Sequence, residues 1–401
     1  MENIIDQIKS LAQDADEAGR RKILDGLRDL ALSLETPQDT MQRISYLHLQ
    51  PALVRVGLDL NIFKTLAESD HPLNLDELAT KANAAPTLLD QATIINSWQS
   101  LKRIANIELK ARVLRYLASV GTIKETGDNT FTGNNITRSL SDEGIASAIY
   151  HNVNIIAPPI FALPDFLVKN KYQDITSSVN TPLQQAFNTD QPAFVWAQTK
   201  PDLFVHFNKF MEAEQRGMRR WFDVFPIEEK SKDLSPDQAL FVDVGGNIGH
   251  QSLALKKRLP DIKNDIIVED MEIVISCVIP CEGVKTVVFD FFQPQVVRGA
   301  RFYYFRSILH DWADEKALII LKNTISALGP DSAILIDEMV LPNSGVHWHA
   351  TQVDMAMMSS LASLERTTKQ WHSLLERAGL KIVEIHTYSA RYNSILECVP
   401  V

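Results

Sequence analysis

The sequence contains few cysteines, and the three that it has suit neither a disulfide framework nor a zinc site. Cys277 and Cys281 lie four positions apart and Cys398 lies far from both, and no neighbouring Cys or His cluster completes a set of four ligands. Free thiols are typical of a reducing compartment. We therefore expect a cytoplasmic protein without structural disulfides.

Long apolar runs and long basic runs are also absent. No stretch approaches the roughly 20 apolar residues of a membrane span, and the first seven residues are acidic and lack the basic start of a signal peptide. The net charge of −10 argues against a nucleic-acid partner, because such proteins usually present a basic face. The 401 residues suffice for two or three domains, for which we expect neither a membrane nor a nucleic acid as partner.

The first part of the chain has the periodicity of helices. Apolar residues recur every three or four positions over residues 1–35, which predicts amphipathic helices with an apolar face that a second copy would cover. Helical patterns continue over residues 45–145 and end in a predicted hairpin at Gly127 to Phe131, an arrangement typical of winged helices. Because the charge argues against DNA, we expect residues 1–145 to serve packing or dimerisation.

Residues 146–235 predict helices and loops rich in aromatic side chains, some of which would line a pocket for a flat apolar substrate. From residue 236 to 401, short apolar runs alternate with helical stretches, which predicts a doubly wound parallel sheet. These runs begin at Leu240, Asp265, Lys285, Arg301 and Ala333. Ligands of such sheets bind at the carboxyl ends of the strands, so the residues after each run are the candidates for a site.

Glycines and an acid mark the end of the first predicted strand. The spacing of Gly245, Gly246 and Gly249 does not match the Gly-x-Gly-x-x-Gly of nicotinamide-binding proteins, and Asp243 at the strand tip would repel a phosphate. S-adenosylmethionine (SAM) carries no phosphate, and a carboxylate favours its sulfonium and ammonium groups. The glycines alone could also simply form a tight strand-to-helix turn.

Acids at the next two strand ends favour the same ligand. Asp270 follows the second strand, where an acid suits a ribose diol. Asp290 and Phe291 follow the third, where a carboxylate can accept from an adenine amino group while the ring packs on the base. One strand-end Asp would more often cap a helix, but three successive acidic strand ends together predict a SAM site.

A histidine follows the fourth predicted strand. His310 is suited to take a proton near neutral pH, which a phenol with a pKa of about 10 requires before it can attack a methyl group. Glu338 and Glu365 lie in later loops, where carboxylates would hold the ring and stabilise its imidazolium. A lone histidine is more often a buried structural residue, and Asp311 is interpreted as a cap for the following helix. The strand-end position favours a catalytic role for His310.

These motifs resemble those of the O-methyltransferases of secondary metabolism, in the plant caffeate and flavonoid group and especially its fungal polyketide-pathway relatives. The resemblance covers most of the chain and is strongest over residues 242–252, 310–312, 335–342 and 365–380. It implies a Rossmann-like SAM-binding domain preceded by an all-α, winged-helix-like dimerisation domain. It also implies methyl transfer to a phenolic or enolic hydroxyl of a small aromatic or polyketide-like metabolite, without a metal.

The resemblance also implies a residue for each part of the site. His310 would be the base, flanked by Glu338 and Glu365, and a homodimer would interlock its N-terminal domains and close part of each partner's pocket. The cofactor would contact the glycine loop and the residues Asp243, Gly245, Gly246, Gly249, Asp270, Asp290, Phe291 and Arg306.

Several positions depart from the family pattern. Asn247 stands where a third glycine is usual, Arg306 where Lys is frequent, and Glu269 where Gln or a neutral residue is common. Residues 91–111 look like an insertion, which is either a surface excursion or retained non-coding material.

Two other functions stay open. Some fungal relatives use bound SAM as a fixed positive charge for dehydration and pericyclic ring closure, and there His151 would donate a hydrogen bond in the pocket. The intact set of His310, Glu338 and Glu365 favours methyl transfer instead. A non-catalytic dimeric scaffold is the third possibility, against which the acidic charge and the complete chemical set argue.

Overall fold

The structure is a computed structural model that describes residues 2–82, 111–214, 216, 219–276, 278 and 281–401. The chain divides into two units, Met1–Ile155 with Asp202–Glu214 and Ile156–Pro201 with Gln215–Val401. The insertion predicted at residues 91–111 lies outside the described residues except at its last position.

Helices make up most of the described part of the first unit, and strands and helices alternate in the second. The helices are α1 (Glu2–Asp14), α2 (Glu17–Ser33), α3 (Pro37–Tyr46), α4 (Leu49–Asp59), α5 (Ile62–Ala67), α6 (Leu75–Ala82), α7 (111–119), α8 (Asn135–Leu140), α9 (Glu143–His151), α10 (Ala157–Lys169), α11 (Pro182–Phe187), α12 (Ala193–Gln198), α13 (Pro201–Glu214), α14 (Ile227–Lys230), α15 (His250–Arg258), α16 (Glu272–Ile275), α17 (Asp314–Ile325), α18 (Trp348–Leu361) and α19 (Thr368–Ala378). The strands are β1 (Leu73–Asn74), β2 (Lys124–Gly127), β3 (Thr130–Thr132), β4 (Phe241–Val244), β5 (Ile266–Asp270), β6 (Val284–Val288), β7 (Phe302–Arg306), β8 (Ala333–Met339), β9 (Leu380–Thr387) and β10 (Asn393–Pro400). Of the helices described, none combines the length and the apolar character that a membrane crossing requires.

The first unit combines a helical core with a small antiparallel sheet in the order β1-β3-β2. Asn61 ends the long apolar helical run because its left-handed backbone (φ 55°) separates α4 from α5. Asn74 and Glu77 cap α6 reciprocally, each side chain accepting the other's backbone N–H. The side chains of Phe63 and Phe131 are buried between these elements. A helical region with a terminal hairpin agrees with the predicted winged-helix class.

Helices α1 to α3 contain no buried residue. Their large apolar side chains face solvent instead, including Ile4, Ile5, Leu11, Leu24, Leu27, Leu30, Leu34, Met41, Ile44 and Leu47. An apolar surface that extends over three helices costs free energy in water unless something covers it.

The second unit contains a seven-stranded sheet in the order β6-β5-β4-β7-β8-β10-β9. The strands from β6 to β8 pair in parallel, whereas β10 runs antiparallel to both β8 and β9. The strand order reverses between β4 and β7, so the carboxyl ends of these strands flank the crevice where such sheets bind ligands. The predicted doubly wound parallel sheet is therefore confirmed, with an antiparallel addition at one edge.

Two of the three cysteines lie among the described residues, and both are free thiols. Cys281 is exposed, while Cys398 is buried in β10, where burial raises the pKa of the thiol well above its usual range. Cys277 lies outside the described residues.

Candidate active site

The glycine loop after β4 is held against the end of β5. The backbone N–H groups of Gly245 and Gly246 donate to the carbonyl oxygen of Glu269 at 2.8 and 3.0 Å. Gly245 has a left-handed backbone (φ 71°), which favours glycine. A Cβ atom on Gly246 would lie 2.6 Å from Cγ of Asp243, so only glycine fits beside that carboxyl group. The backbone of the glycine loop thus packs directly against the carboxyl group of Asp243.

Asp243 and Asp270 form the acidic lining of this loop. Asp243 is 2% exposed and accepts from the Ser252 hydroxyl at 2.8 Å. Burial raises the pKa of Asp243 to about 7, although the Ser252 bond opposes the shift. Asp270 accepts from the backbone N–H of Asn247 at 2.9 Å. Asn247, which stands where the family usually has a third glycine, therefore donates its backbone N–H to the acid predicted to bind the ribose.

A third acid, Glu269, lies beneath the same loop, although its position in the sequence alone predicted no role for it. Its side chain is buried, and its Oε2 accepts from Nε2 of Gln295 at 2.8 Å. Burial raises the pKa of Glu269 to about 7, and the neighbouring Asp243 raises it further. The departure from a neutral residue was visible in the sequence, but the depth of burial was not.

The predicted adenine residues lie beside the glycine loop. A Cβ atom on Gly245 would lie 3.6 Å from Cε1 of Phe291, so ring and loop are neighbours. Phe291 packs edge-on against Trp312, with ring centroids 6.0 Å apart. Asp290 accepts the backbone N–H of Phe292 at 2.9 Å, which orders the turn after β6. Gly245 and Phe291 could therefore contact one nucleoside together.

Arg306 lies at the end of β7 and takes part in a buried polar network. Its Nη1 donates to Asp337 Oδ2 at 2.6 Å and to the Tyr388 hydroxyl at 3.0 Å. The hydroxyl of Tyr304 also donates to Asp337, at 2.5 Å. The Arg306 charge lowers the pKa of Asp243, in opposition to burial. A direct contact of Arg306 with the cofactor stays a prediction.

His310 lies on a short 3-10 turn, Leu309–Asp311, directly after β7. Its Nδ1 lies 2.6 Å from Oε1 of Glu365 and 3.9 Å from Oε2 of Glu338. Because a carboxylate can only accept, Nδ1 carries the proton of this hydrogen bond. The structure therefore brings together the three residues predicted to be catalytic, and Nε2 is the basic nitrogen when the ring is neutral.

Asp311 faces the other ring nitrogen and does not cap α17. Its Oδ1 lies 3.5 Å from Nε2 of His310, whereas the N-cap position of α17 is Ala313, without a side-chain cap. The interpretation of Asp311 as a helix cap was therefore wrong, because α17 begins only at Asp314, two residues later than a cap at Asp311 would require. Its position next to His310 was the only sequence signal for this contact.

Three carboxyl groups surround one imidazole in this cluster. Burial opposes a charge on His310, but Glu365, Glu338 and Asp311 outweigh it and raise the pKa of the ring well above its usual range. Burial raises the pKa of Glu338 to about 7. The ligand atoms of His310, Glu338 and Glu365 lie within 4.8 Å of one another, close enough for a metal ion as well as for a shared proton. The cluster can stabilise an imidazolium strongly.

Glu338 also holds the backbone of the histidine turn. Its Oε1 accepts the N–H groups of Ile308 and Leu309 at 3.0 and 2.9 Å. The other oxygen, Oε2, has no hydrogen-bond partner within the described part of the chain and points toward the His310 side of the cluster. Glu338 thus positions the turn through one oxygen and polarises the imidazole of His310 through the other.

Comparison with known proteins gives a consistent result over the whole chain. Residues 173–381 match a family model for the O-methyltransferase domain. The chain is 37% identical to demethylsterigmatocystin 6-O-methyltransferase from Aspergillus parasiticus, over 100% of this chain and 98% of that protein.

Two solved structures have nearly the same fold. The structure of LepI in complex with SAM matches with a TM-score of 0.88 and 35% identity, over 100% of this chain and 98% of that one. A structure described as a pericyclic reaction enzyme matches with the same TM-score, identity and coverage.

Proposed function

The chain belongs to the O-methyltransferase family and is a SAM-dependent O-methyltransferase, and from this premise we propose that His310 is its general base. The observation that carries the proposal is the 2.6 Å bond from Nδ1 of His310 to Glu365 at the carboxyl end of the sheet. When bound, SAM supplies the electrophilic methyl group. A phenolic or enolic hydroxyl of a small secondary metabolite is the proposed acceptor.

The cluster supports a proton transfer through Nε2 of His310. In the neutral ring, Nδ1 donates to Glu365, so Nε2 carries the lone pair that takes the proton from the substrate hydroxyl. The imidazolium that forms is stabilised by Glu365 and Glu338. The substrate oxygen then carries the negative charge that a nucleophile needs. No metal is required for this step in the proposal.

The residues at the ends of β4 to β6 fit SAM. Gly246 lets the loop backbone pack directly against the carboxyl group of Asp243, and Asp270 offers a second carboxylate beside the same loop. Burial raises the pKa of both acids, and at Asp243 it outweighs the opposing charge of Arg306, so a cationic ligand would stabilise the ionised form of each acid. We propose that Asp270 binds the ribose, and that Asp290 and Phe291 contact the adenine.

A second candidate function is non-methylating pericyclic chemistry. His151 favours it, because its ring contacts Phe207 and Phe210 and its Nδ1 is buried without a hydrogen-bond partner among the described residues. Burial lowers the pKa of His151 to about 4, so the ring is neutral and able to donate to a substrate. The match to a pericyclic reaction enzyme supports the same alternative.

Transfer of a labelled methyl group distinguishes the two functions. Purified protein is incubated with methyl-labelled SAM and phenolic or enolic polyketides, and the products are analysed by mass spectrometry. Methyl transfer predicts a labelled product and S-adenosylhomocysteine. If a substrate is converted while SAM stays intact, the pericyclic function replaces the proposed one.

We predict that the preference for SAM over S-adenosylhomocysteine increases between pH 6 and pH 8. Asp243 and Glu269 both have a pKa of about 7, so they become ionised across this interval. The ionised acids favour the sulfonium charge of SAM, which S-adenosylhomocysteine lacks. The affinity ratio should rise about fivefold over this interval, out of about tenfold for the complete titration, if SAM lowers one of these pKa values by about one unit.

Calorimetry at both pH values, in buffers of different ionisation enthalpy, measures this ratio and the protons released. Glu269→Gln should reduce the pH dependence, whereas Glu384→Gln, an exposed change on β9, should preserve it. A ratio that stays constant across the interval contradicts the electrostatic role of the two acids.

We also propose that residues 1–145 dimerise the protein. The support is the exposed apolar surface of α1 to α3, on which side chains such as Leu24 and Leu30 are 59% and 54% exposed. A second copy that covers this surface would remove it from water. We further propose domain boundaries at residues 145 and 235. The free thiols of the described cysteines favour a cytoplasmic location.

The double change Leu24→Asp and Leu30→Asp is expected to convert the dimer into a monomer, because it places charges within the apolar interface. Light scattering coupled to size-exclusion chromatography measures the mass. The control, Lys22→Asp, adds an Asp to the same helix at an exposed polar position and should remain a dimer. A monomeric wild-type protein contradicts the proposal.

A further inference from the structure

Arg366 is fully buried next to Glu365, and its guanidinium reaches the histidine turn. Nη1 donates to the carbonyl oxygen of Leu309 at 2.7 Å, and Nη2 donates to that of Trp312 at 2.7 Å. Nε and Nη2 also donate to Asp314 Oδ1, at 3.1 and 3.0 Å. Its relative exposure is 0%, so this charge lies in a site where an unpaired cation would be very costly.

The two carbonyl groups that Arg366 binds lie on either side of His310 and Asp311. The Leu309 carbonyl oxygen also accepts the backbone N–H of Trp312, at a longer 3.3 Å, so the Arg366 bonds are the shorter ones at this turn, and a buried carbonyl group that loses a partner costs free energy. On the amino side of the turn, Glu338 accepts the N–H groups of Ile308 and Leu309. The backbone of the turn is therefore held from both sides, by a carboxylate and by a guanidinium.

The same short segment holds the ring of His310. Glu365 accepts the Nδ1 hydrogen, the hydroxyl of Ser363 donates to the His310 carbonyl, and the backbone N–H of Leu341 donates to the carbonyl of Arg366 at 3.1 Å. This last bond joins the segment to the end of β8, which carries Glu338. Hydrogen bonds of this segment therefore link the His310 ring and its turn to both Glu365 and the strand that carries Glu338.

We propose that Arg366 is a positioning residue for methyl transfer, which keeps His310 within hydrogen-bond distance of Glu365. The inference rests on the proposed function of His310 as the base. Asp314 compensates the charge of Arg366, so the effect on His310 comes from hydrogen-bond geometry. Lysine keeps the charge but offers its donors from a single nitrogen, which cannot bridge two carbonyl groups as the planar guanidinium does.

The test uses the full chain with Arg366→Lys and Arg366→Met, and three measurements. These are the imidazole ¹⁵N shifts of His310 against pH without substrate, SAM affinity by calorimetry, and kcat with its pH profile. We expect nearly unchanged SAM affinity, a His310 pKa that moves down toward its ordinary value, and kcat lower by about 100-fold in both variants.

A double variant and an exposed control separate positioning from stability. Arg366→Met with Asp314→Leu removes both charges and should regain folding stability, yet kcat should stay low because the carbonyl contacts are gone. Arg377→Met removes an exposed partner of Asp314 and should leave the His310 titration unchanged. A double variant with the wild-type titration and kcat would overturn the proposal.

The His310 titration also separates this inference from the proposed function. If His310→Ala keeps full activity, the base assignment fails, whatever Arg366 does. If His310→Ala is inactive and Arg366→Lys keeps the wild-type titration, only the positioning role of Arg366 fails.

Discussion

The change His310→Ala is expected to lower kcat for methyl transfer by about 10²–10⁴-fold, the usual contribution of a general base. SAM affinity should remain almost unchanged, because the glycine loop and its acids lie on other strand ends, β4 and β5. The substrate hydroxyl would have to lose its proton to water, for which a phenol with a pKa of about 10 is poorly suited at pH 7.

The residual activity of His310→Ala should increase with pH. A phenolic substrate forms its own phenolate as the pH approaches about 10, so the missing base matters less there. In the wild-type protein, activity should instead rise as His310 loses its proton, and Glu365, Glu338 and Asp311 shift that rise upward from the ordinary histidine range. Comparison of the two pH profiles of kcat therefore reports the base directly.

His372 provides a matched control for this experiment. It is an exposed histidine on α19, so His372→Ala should leave both kcat and its pH profile unchanged. Calorimetric titration with SAM, together with thermal unfolding, checks that the His310 variant still binds and folds. Wild-type turnover by His310→Ala would exclude the imidazole as the base.

The change Gly246→Ala is expected to weaken SAM binding by about tenfold to 100-fold. The added Cβ would lie 2.6 Å from Cγ and 2.9 Å from Oδ2 of Asp243, and that carboxyl group is buried and held by Ser252. Either the loop or Asp243 must move, which breaks a hydrogen bond to a charged group that contributes about 1.5–3 kcal/mol. Each 1.4 kcal/mol corresponds to about tenfold in affinity.

Gly26→Ala is the matched control because it adds the same methyl group in open space within α2. It should leave SAM affinity unchanged and stabilise the protein slightly, since alanine favours a helix by up to about 1 kcal/mol relative to glycine. Calorimetry gives the affinities, and thermal unfolding shows whether Gly246→Ala remains folded. A folded Gly246→Ala with wild-type affinity would mean that this loop does not enclose the cofactor.

Local sequence patterns predicted the elements that carry the site. Apolar runs ending in glycine or acid predicted β4 and β5 with the positions of Asp243 and Asp270, and the apolar run from Arg301 predicted β7 with His310 after it. Side chains at the ends of buried parallel strands share one edge of the sheet. The hairpin at Gly127 followed from turn residues between short strands. The helix end at Asn61 and the helix start at Asn74 likewise have causes that lie within a few residues.

Tertiary structure alone decided how distant residues meet. Glu338 and Glu365 lie 28 and 55 positions from His310 in the chain, and no periodicity states which loop turns back over which strand end. The hydrogen bonds from Arg366 to the histidine turn likewise depend on tertiary packing. So are the raised pKa values of Asp243 and Glu269, because they depend on how much water the surrounding chain removes, and sequence distance carries no information about burial.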